Sequence, residues 1–243
     1  MKILVTGCAG FIGYHLCNEL LKNSNVSIIG IDNLNSYYSV KLKKIRLKKL
    51  TKYRRFEFKK IDISNNQKLR VIFKKNKFDL IVNLAAQAGV RYSVENPREY
   101  FYSNMLGFFN ILELSRIYRI KKVLYASSSS VYGEQKKFPL KENIDLNPKN
   151  IYSLSKKNNE EIAEIYKEYY GLNLIGMRFF TVYGEWGRPD MLMMKYMLAK
   201  HRNRKFLLNN KGNHYRDFTY IDDVIKIVIK LIFLKTKKIN HIF

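Results

Sequence analysis

Short apolar segments alternate with longer amphipathic segments along most of this chain. Segments rich in Ile, Val and Leu predict buried strands, and apolar positions that recur every three or four residues predict helices. Strands are predicted at 2–6, 26–31, 55–61, 78–85, 122–127 and 172–180, and helices at 11–21, 38–50, 65–75, 97–119 and 152–170. This alternation predicts an α/β fold with a doubly wound parallel sheet covered on both faces.

A glycine-rich segment, Gly7-Cys8-Ala9-Gly10-Phe11-Ile12-Gly13, lies between the first predicted strand and the first predicted helix. Such a turn can hold a pyrophosphate against the backbone N–H groups of a helix N-terminus. Gly7 permits the tight turn, Gly10 the close approach of a ligand, and Gly13 the close packing of helix on sheet. A purely structural turn between a strand and a helix is the alternative.

The position of Asp32 favours the binding interpretation. Asp32 ends the second predicted strand, where a carboxylate accepts hydrogen bonds from the adenosine ribose hydroxyls of a dinucleotide. A carboxylate there also repels a 2′-phosphate, so NAD is favoured over NADP. The two features predict a Rossmann-like NAD-binding domain over 1–184. After Gly184 the alternation becomes irregular, and 185–243 is predicted to be a smaller second region.

The net charge of +25 on 243 residues raises the question of a nucleic-acid partner. The lysines, however, are spread over nearly every polar face, and the densest cluster, 41–55, lies mostly on one predicted amphipathic helix. No nucleic-acid motif accompanies the charge, so no nucleic-acid partner is predicted. A basic surface would instead help to attract an anionic nucleotide.

The cysteine, histidine and apolar content excludes several classes of protein. Cys8 and Cys17 both belong to the first strand–helix unit, which does not suggest a disulfide framework and indicates a reducing cytoplasm. The four histidines have no metal-ligand spacing with them, so no metal site is predicted. The apolar stretch 224–234 is interrupted by Lys226 and Lys230, so no membrane span is predicted, and the N-terminus begins with a core strand rather than a signal peptide.

Tyr152 and Lys156 are the candidate reactive pair, because their i, i+4 spacing places them on one face of a predicted helix. A Lys ammonium beside a phenol favours the phenolate, and so does the positive charge of the nicotinamide, so the hypothesis requires these charges to lower the pKa of Tyr152. Tyr152 would then remove a proton from a sugar hydroxyl while hydride leaves the same carbon for NAD. Ser128, just past the fifth strand, would hydrogen-bond that hydroxyl. The sequence has 18 tyrosines, so a chance surface pair is the alternative.

Further motifs accompany this pair along nearly the whole chain. They are the segments 7–13, 32–38, 83–93, 125–133, 178–184, 186–191 and 216–223, together with Tyr152 and Lys156. Jointly they resemble the extended short-chain dehydrogenases/reductases of the sugar-nucleotide epimerase/dehydratase group. Within that group the chain most resembles the UDP-glucuronate 4-epimerases.

The resemblance implies a role for each matching residue. Ser128 and Tyr152 would be the catalytic pair, and Lys156 would also bind the nicotinamide ribose. The implied NAD-binding residues are Gly7, Gly10, Phe11, Ile12, Gly13, Asp32, Asn33, Asn35, Ser36, Asp62, Ile63, Leu84, Ala85, Ala86, Gln87, Asn104, Ser127, Tyr152, Lys156 and Phe180. The implied UDP-sugar-binding residues are Ser128, Ser129, Thr181, Arg188 and Arg216, the last as a clamp on the pyrophosphate.

Differences within the group favour a uronate epimerase. Ser129 and Ser130 stand where a 4,6-dehydratase carries Asp-Glu, and Thr181 stands where a galactose-type epimerase usually has Asn. Arg188 resembles the arginine that binds the uronate carboxylate, a contact for which a bidentate guanidinium is suited. A loop arginine paired with a surface acid is the alternative interpretation of Arg188.

The resemblance thus implies NAD-dependent inversion at C4 of UDP-glucuronate to UDP-galacturonate through a 4-keto sugar. Family members continue past 240–243, a predicted strand start, with a segment that closes the sugar-nucleotide pocket, so a truncated chain is expected. The alternatives are another UDP-hexose epimerase, a uronate decarboxylase, and a non-catalytic NAD-binding protein that forms one half of a two-chain assembly. The helices at 97–119 and 152–170 could pair in a homodimer as they do in this family.

Overall fold

Six parallel strands form the central sheet in a computed structural model that describes residues 1–23, 25–212 and 216–234. The strand order is β3-β2-β1-β4-β5-β6. The bounds are β1 Lys2–Thr6, β2 Ser27–Asp32, β3 Phe56–Lys60, β4 Leu80–Asn83, β5 Lys122–Ser128 and β6 Asn173–Phe179. The order reverses between β1 and β4, and a crevice at the carboxyl ends of the strands is the usual ligand site of such sheets. The doubly wound α/β prediction is confirmed.

Helices cover both faces of this sheet. Their bounds are α1 Phe11–Lys22, α2 Val40–Leu50, α3 Asn66–Lys75, α4 Val90–Glu95, α5 Pro97–Tyr100, α6 Gly107–Ile117, α7 Ile151–Tyr170, α8 Leu192–His201 and α9 Ile221–Phe233. The helix predicted at 97–119 is not uniform, because a π-helical segment, Phe101–Leu106, separates α5 from α6. The sequence pattern also missed α4.

Two apolar cores follow from the alternation of side chains along each strand. In β1, Leu4 packs on one face with residues of α3, α6 and α7. Ile3 and Val5 pack on the other face with residues of α1, α2 and α9. The sheet is therefore buried on both sides, as a parallel sheet requires.

The chain after β6 forms a smaller sheet and a helix that returns to the main body. The run predicted as one strand over 172–180 ends at Phe179, and Thr181–Tyr183 (β7) pairs in parallel with Phe218–Tyr220 (β8). Helix α9 buries Ile221, Val224 and Val228 in the core that contains α1. The strand predicted from 240 lies outside the described residues, and the division at 184 stays a prediction.

Candidate functional site

A cleft of about 1500 Å³ runs along the carboxyl ends of the strands. It gathers nearly all the site residues predicted from the sequence. Those that line it are Gly7, Gly10, Phe11, Ile12, Gly13, Asp32, Asn33, Asn35, Asp62, Ile63, Leu84, Ala85, Ala86, Gln87, Ser127, Ser128, Ser129, Tyr152, Lys156, Phe180, Thr181, Arg188 and Arg216. Two predicted residues, Ser36 and Asn104, do not line it.

The glycine turn leaves no room for side chains. Gly7 has φ +70°, and a Cβ there would lie 2.7 Å from the backbone nitrogen of Ala85. A Cβ on Gly13 would lie 2.2 Å from the carbonyl oxygen of Gly7, and one on Gly10 would lie 2.9 Å from the same atom. The turn is thus bare backbone in front of the α1 N-terminus, which suits an anionic pyrophosphate.

Two carboxylates lie at the end of the cleft formed by β2 and β3. Asp32 accepts hydrogen bonds from the backbone N–H of Ala9 at 3.1 Å and of Leu34 at 2.8 Å, while burial raises its pKa. Although burial opposes the change, hydrogen bonds from Asn33 and Ser64 lower the pKa of Asp62. Both acids are oriented by protein donors, and Asp32 lies where the adenosine ribose hydroxyls of a dinucleotide would bind.

Lys43 is a cleft residue that the sequence analysis missed. Its side chain is buried, and its ammonium donates to the backbone carbonyl and to the side-chain oxygen of Asn35, at 2.8 and 2.6 Å. Asn35 in turn donates to the side-chain oxygen of Gln87 at 3.0 Å. A signal was present, because Lys43 shares helical spacing with the buried Leu47 and Leu50.

Ser36 and Asn104 do not line the cleft, for different reasons. Ser36 is an exposed turn residue. Asn104 is buried in the π-helical segment and donates to the carbonyl of Gln87 at 3.1 Å and to the Ser155 hydroxyl at 2.9 Å. Its oxygen accepts the backbone N–H of Gln87 at 2.8 Å. Protein partners occupy this amide, so in the structure it supports the Gln87 loop rather than facing a ligand.

Tyr152 and Ser128 are brought together as predicted. A capping box between Asn150 and Ser153 begins α7 one residue before Tyr152. The pKa of Tyr152 is nonetheless raised by burial, whereas the hydrogen bond with Ser128 and the charge of Arg188 oppose that rise. The lowering expected with the nicotinamide charge present stays a prediction, but in the protein alone the phenol pKa is not lowered. The physical reason is desolvation of the phenolate.

Lys156 lies one helical turn after Tyr152 and is buried. Its ammonium donates to the carbonyl of Ala126 at 2.8 Å, and burial lowers its pKa to about 8. At neutral pH it therefore carries most of a positive charge, which is fixed under the end of β5. Its side chain does line the cleft, so the two residues share the face that the i, i+4 spacing predicts.

A buried ion pair supports the serine run. Arg178 donates through Nε and Nη2 to the two carboxylate oxygens of Glu160, at 3.0 and 2.8 Å. The Ser127 hydroxyl donates to the same carboxylate. The network links β5, β6 and α7 directly behind Ser128.

Arg188 is held at the opposite side of the cleft by an acid of its own loop. Its Nε and Nη2 donate to the two carboxylate oxygens of Asp190, the former at 3.0 Å. The Tyr37 hydroxyl donates to the same carboxylate at 3.1 Å, and the guanidinium lies 5.7 Å from the Tyr37 ring centroid. Arg188 is thus paired with an acid of its own loop, as the alternative interpretation holds. Both side chains nevertheless line the cleft, and the charge of Arg188 opposes the rise that burial causes in the pKa of Tyr152.

Two further searches cover the part of the chain that the structure describes. No three His, Cys, Asp or Glu side chains are grouped there as metal ligands would be. Within the same residues, no helix combines the length and apolar character needed to span a bilayer.

Comparison with known proteins places this cleft in context. A sequence model described as "NAD dependent epimerase/dehydratase family" matches residues 3–242. The chain is 49% identical over 234 residues to Protein CapI of Staphylococcus aureus, covering 96% of this chain and 69% of that protein. It is 42% identical over 224 residues to the UDP-glucuronate 4-epimerase of Thermodesulfobacterium geofontis, covering 92% and 69%.

Solved structures show the same architecture. The UDP-glucuronic acid 4-epimerase of Bacillus cereus, in complex with UDP-glucuronic acid and NAD, superimposes with a TM-score of 0.91 at 33% identity. The UDP-glucose 4-epimerase of Thermotoga maritima, with UDP-glucose, gives 0.89 at 30% identity. Each comparison covers 100% of this chain and 76% of the other.

Proposed function

Because the chain belongs to the NAD dependent epimerase/dehydratase family, we propose that it is an NAD-dependent UDP-sugar 4-epimerase whose substrate is a UDP-hexuronate. It would interconvert UDP-glucuronate and UDP-galacturonate. Relatives with that activity, and neighbouring structures that contain NAD and a UDP-sugar, support the reaction class. The substrate assignment rests on the position of Arg188.

The cleft fits NAD on its own geometry. The bare turn at Gly7, Gly10 and Gly13 would hold the pyrophosphate, and Asp32 would bind the adenosine ribose. Lys156 would bind the nicotinamide ribose at the other end of the cleft. When bound, NAD supplies the hydride acceptor and donor for the C4 carbon.

The phenol of Tyr152 would take the proton of the C4 hydroxyl and later return it. Ser128, hydrogen-bonded to that phenol, would hold the same sugar oxygen. Since burial raises the pKa of Tyr152, positive charge is needed to make it a base. Arg188 acts on the phenol in this sense, and Lys156, one helical turn further along α7, would add its charge together with that of the bound nicotinamide. Inversion needs the oxidised sugar to present its other face, so the space next to Thr181 and Ser129 would have to admit a turned ring.

Arg188 carries the assignment of a uronate. Its Nε edge is occupied by Asp190, and the guanidinium remains at the cleft within electrostatic reach of Tyr152. A substrate carboxylate on the sugar would find a charged fork near the reacting hydroxyl, whereas the hydroxymethyl group of a hexose would not use it. We assign Arg188 and Arg216 to the sugar-nucleotide side of the cleft, formed by the region after 184.

A second copy of the chain is the proposed protein partner. Helix α7 and the preceding segment at 101–109 carry large apolar side chains that are exposed in the single chain, namely Phe101, Tyr102, Phe109, Ile165 and Tyr169. Covering them would remove apolar surface from water. Light scattering on a size-exclusion column would give twice the monomer mass if the chain dimerises.

The decisive experiment is to incubate the purified protein with UDP-glucuronate and to follow UDP-galacturonate by proton NMR. Parallel samples receive UDP-glucose and UDP-galactose. Formation of UDP-galacturonate at the fastest rate supports the proposal. Faster conversion of the neutral sugars would assign a hexose epimerase, and retention of NAD without any conversion would assign a non-catalytic NAD-binding protein.

A further inference from the structure

Helix α2 carries a buried arginine that neither the sequence motifs nor the proposed mechanism uses. The Arg46 side chain is 0% exposed. Among the described residues it forms no ion pair with a carboxylate, and its Nε has no hydrogen-bond partner. Burying a guanidinium without a direct carboxylate partner is unfavourable, and here Asp32 lies only within electrostatic reach, so the contacts that Arg46 does make call for an explanation.

Those contacts join three separate segments of the cleft. Nη1 of Arg46 donates to the carbonyl of Ala9 at 2.9 Å and to the Tyr38 hydroxyl at 2.8 Å. Nη2 donates to the carbonyls of Trp186 at 2.5 Å and of Gly187 at 3.4 Å. One planar fork thus ties the glycine turn to the backbone that immediately precedes Arg188.

The segment 185–187 depends on contacts of this kind for its shape. Trp186 has φ +57°, a left-handed conformation that a bulky residue adopts only when its surroundings impose it. His15 of α1 hydrogen-bonds to the carbonyl of Glu185 at 2.8 Å, and the Lys49 ammonium lies 5.0 Å from the Trp186 ring centroid. The loop is therefore docked onto α1 and α2, with Arg46 at the centre of the contact.

Docking of this loop determines where Arg188 lies. Arg188 follows the Gly187 carbonyl directly, so a shift of that peptide moves the guanidinium relative to Tyr152. Asp190 belongs to the same loop, and Tyr37, whose hydroxyl donates to Asp190, is a second anchor of that loop beside Arg46. We propose that Arg46 is a positioning residue that fixes Arg188 for recognition of the substrate carboxylate by clamping its loop to the glycine turn. This inference rests on the proposed uronate substrate.

The test compares Arg46→Met with Arg55→Met in the NAD-loaded protein. Arg46→Met leaves the buried carbonyls of Ala9 and Trp186 without their donor, so some loss of stability is expected, and the melting temperature is measured beside each readout. Arg55 is the matched control. It also donates to backbone carbonyls, of Leu21 at 2.9 Å and Val26 at 3.0 Å, but just before β3 at the amino end of the sheet. Arg46→Lys, which keeps the charge without the fork, is the conservative variant.

Two readouts separate positioning from stability. Trp186 is the only tryptophan in the sequence, so its emission and acrylamide quenching report on the loop directly. Calorimetry gives the ratio of the dissociation constants for UDP-glucose and UDP-glucuronate. Arg46→Met should red-shift the emission and lower the preference for the uronate about tenfold or more, with Arg46→Lys intermediate and Arg55→Met unchanged.

Other outcomes overturn the inference. If melting temperature falls while both readouts stay as in the wild type, Arg46 is only structural. If Trp186 becomes exposed but the preference persists, the loop moves without governing Arg188. A wild-type protein without any preference for UDP-glucuronate refutes the proposed substrate itself, and the inference falls with it. This last failure is distinguishable from the first two, because it is already present in the wild type.

Discussion

The carboxylate of Glu160 binds the guanidinium of Arg178 through both oxygens, and each side chain is only 5% exposed. Removing one partner leaves the other charge buried without compensation, so we expect Glu160→Gln to lower the free energy of unfolding by about 3–5 kcal/mol. Combining it with Arg178→Met should restore much of the loss. Urea denaturation gives the free energy of unfolding of the single and the double variant. The control is Asp223→Asn, which breaks the exposed pair with Lys226 and should have no measurable effect. An additive double variant would contradict the expectation.

Tyr152→Phe removes the proposed proton acceptor and little else. We expect turnover of UDP-glucuronate to fall by about 10²–10⁴-fold, the usual contribution of a general base. Bound NAD, measured by its absorbance after denaturation of the purified protein, should remain at the wild-type level because the phenyl ring still fills the site. Tyr169→Phe, at an exposed position of the same helix, is the control. Wild-type turnover by Tyr152→Phe would reject the catalytic assignment.

The charge of Lys156 should set an alkaline limit. Burial lowers its pKa to about 8, below the ordinary value of 10.5, so the ammonium is present below about pH 8 and is lost above it. Turnover that depends on this charge should therefore decline as pH rises through 8. In Lys156→Arg the charge persists, and the decline should move to higher pH. An unchanged profile in that variant would show that another group titrates.

Gly13 should be irreplaceable for cofactor binding. A Cβ there would lie 2.2 Å from the Gly7 carbonyl oxygen, so Gly13→Ala must displace the turn that faces the pyrophosphate. We expect the purified variant to lose its copurifying NAD and calorimetry to give a larger dissociation constant for NAD. Gly171→Ala is the matched control, because that glycine has φ +64° with open space around it. It should cost about 1–2 kcal/mol of stability while NAD binding is unaffected.

Arg188→Lys keeps a positive charge but removes the planar fork. Loss of charge-assisted hydrogen bonds to a carboxylate should raise the Michaelis constant for UDP-glucuronate about 10- to 100-fold. Binding of UDP-glucose should change little, since that sugar has no carboxylate. Equal losses for both sugars would indicate that Arg188 supports the pocket rather than recognising the uronate.

The sequence was informative where local chemistry determines the structure. Apolar runs and the glycine turn predicted the sheet and one end of the cleft, and the spacing of Tyr152 and Lys156 predicted their common helical face. The confirmed fold follows because a parallel sheet buried on both sides leaves a strong pattern.

Other features depend on contacts between distant segments and were not predicted. Lys43 and Arg46 belong to a helix with mostly exposed lysines, and they are buried because the loops at 35 and 186 fold over them. The pKa of Tyr152 could not be deduced from Lys156 alone, since the helical spacing says nothing about desolvation. The π-helical segment within the predicted 97–119 helix likewise had no local signal, and it contains the buried Asn104.

That π-helical segment has a mechanical consequence. Through one carboxamide, Asn104 connects the strand-end loop at Gln87 to the hydroxyl of Ser155, three residues after Tyr152. The two walls of the cleft are therefore joined by one amide that does not depend on what lies between them. Moving the phenol-bearing helix away from the Gln87 loop would break these hydrogen bonds, so the spacing of the two walls is favoured by the protein itself.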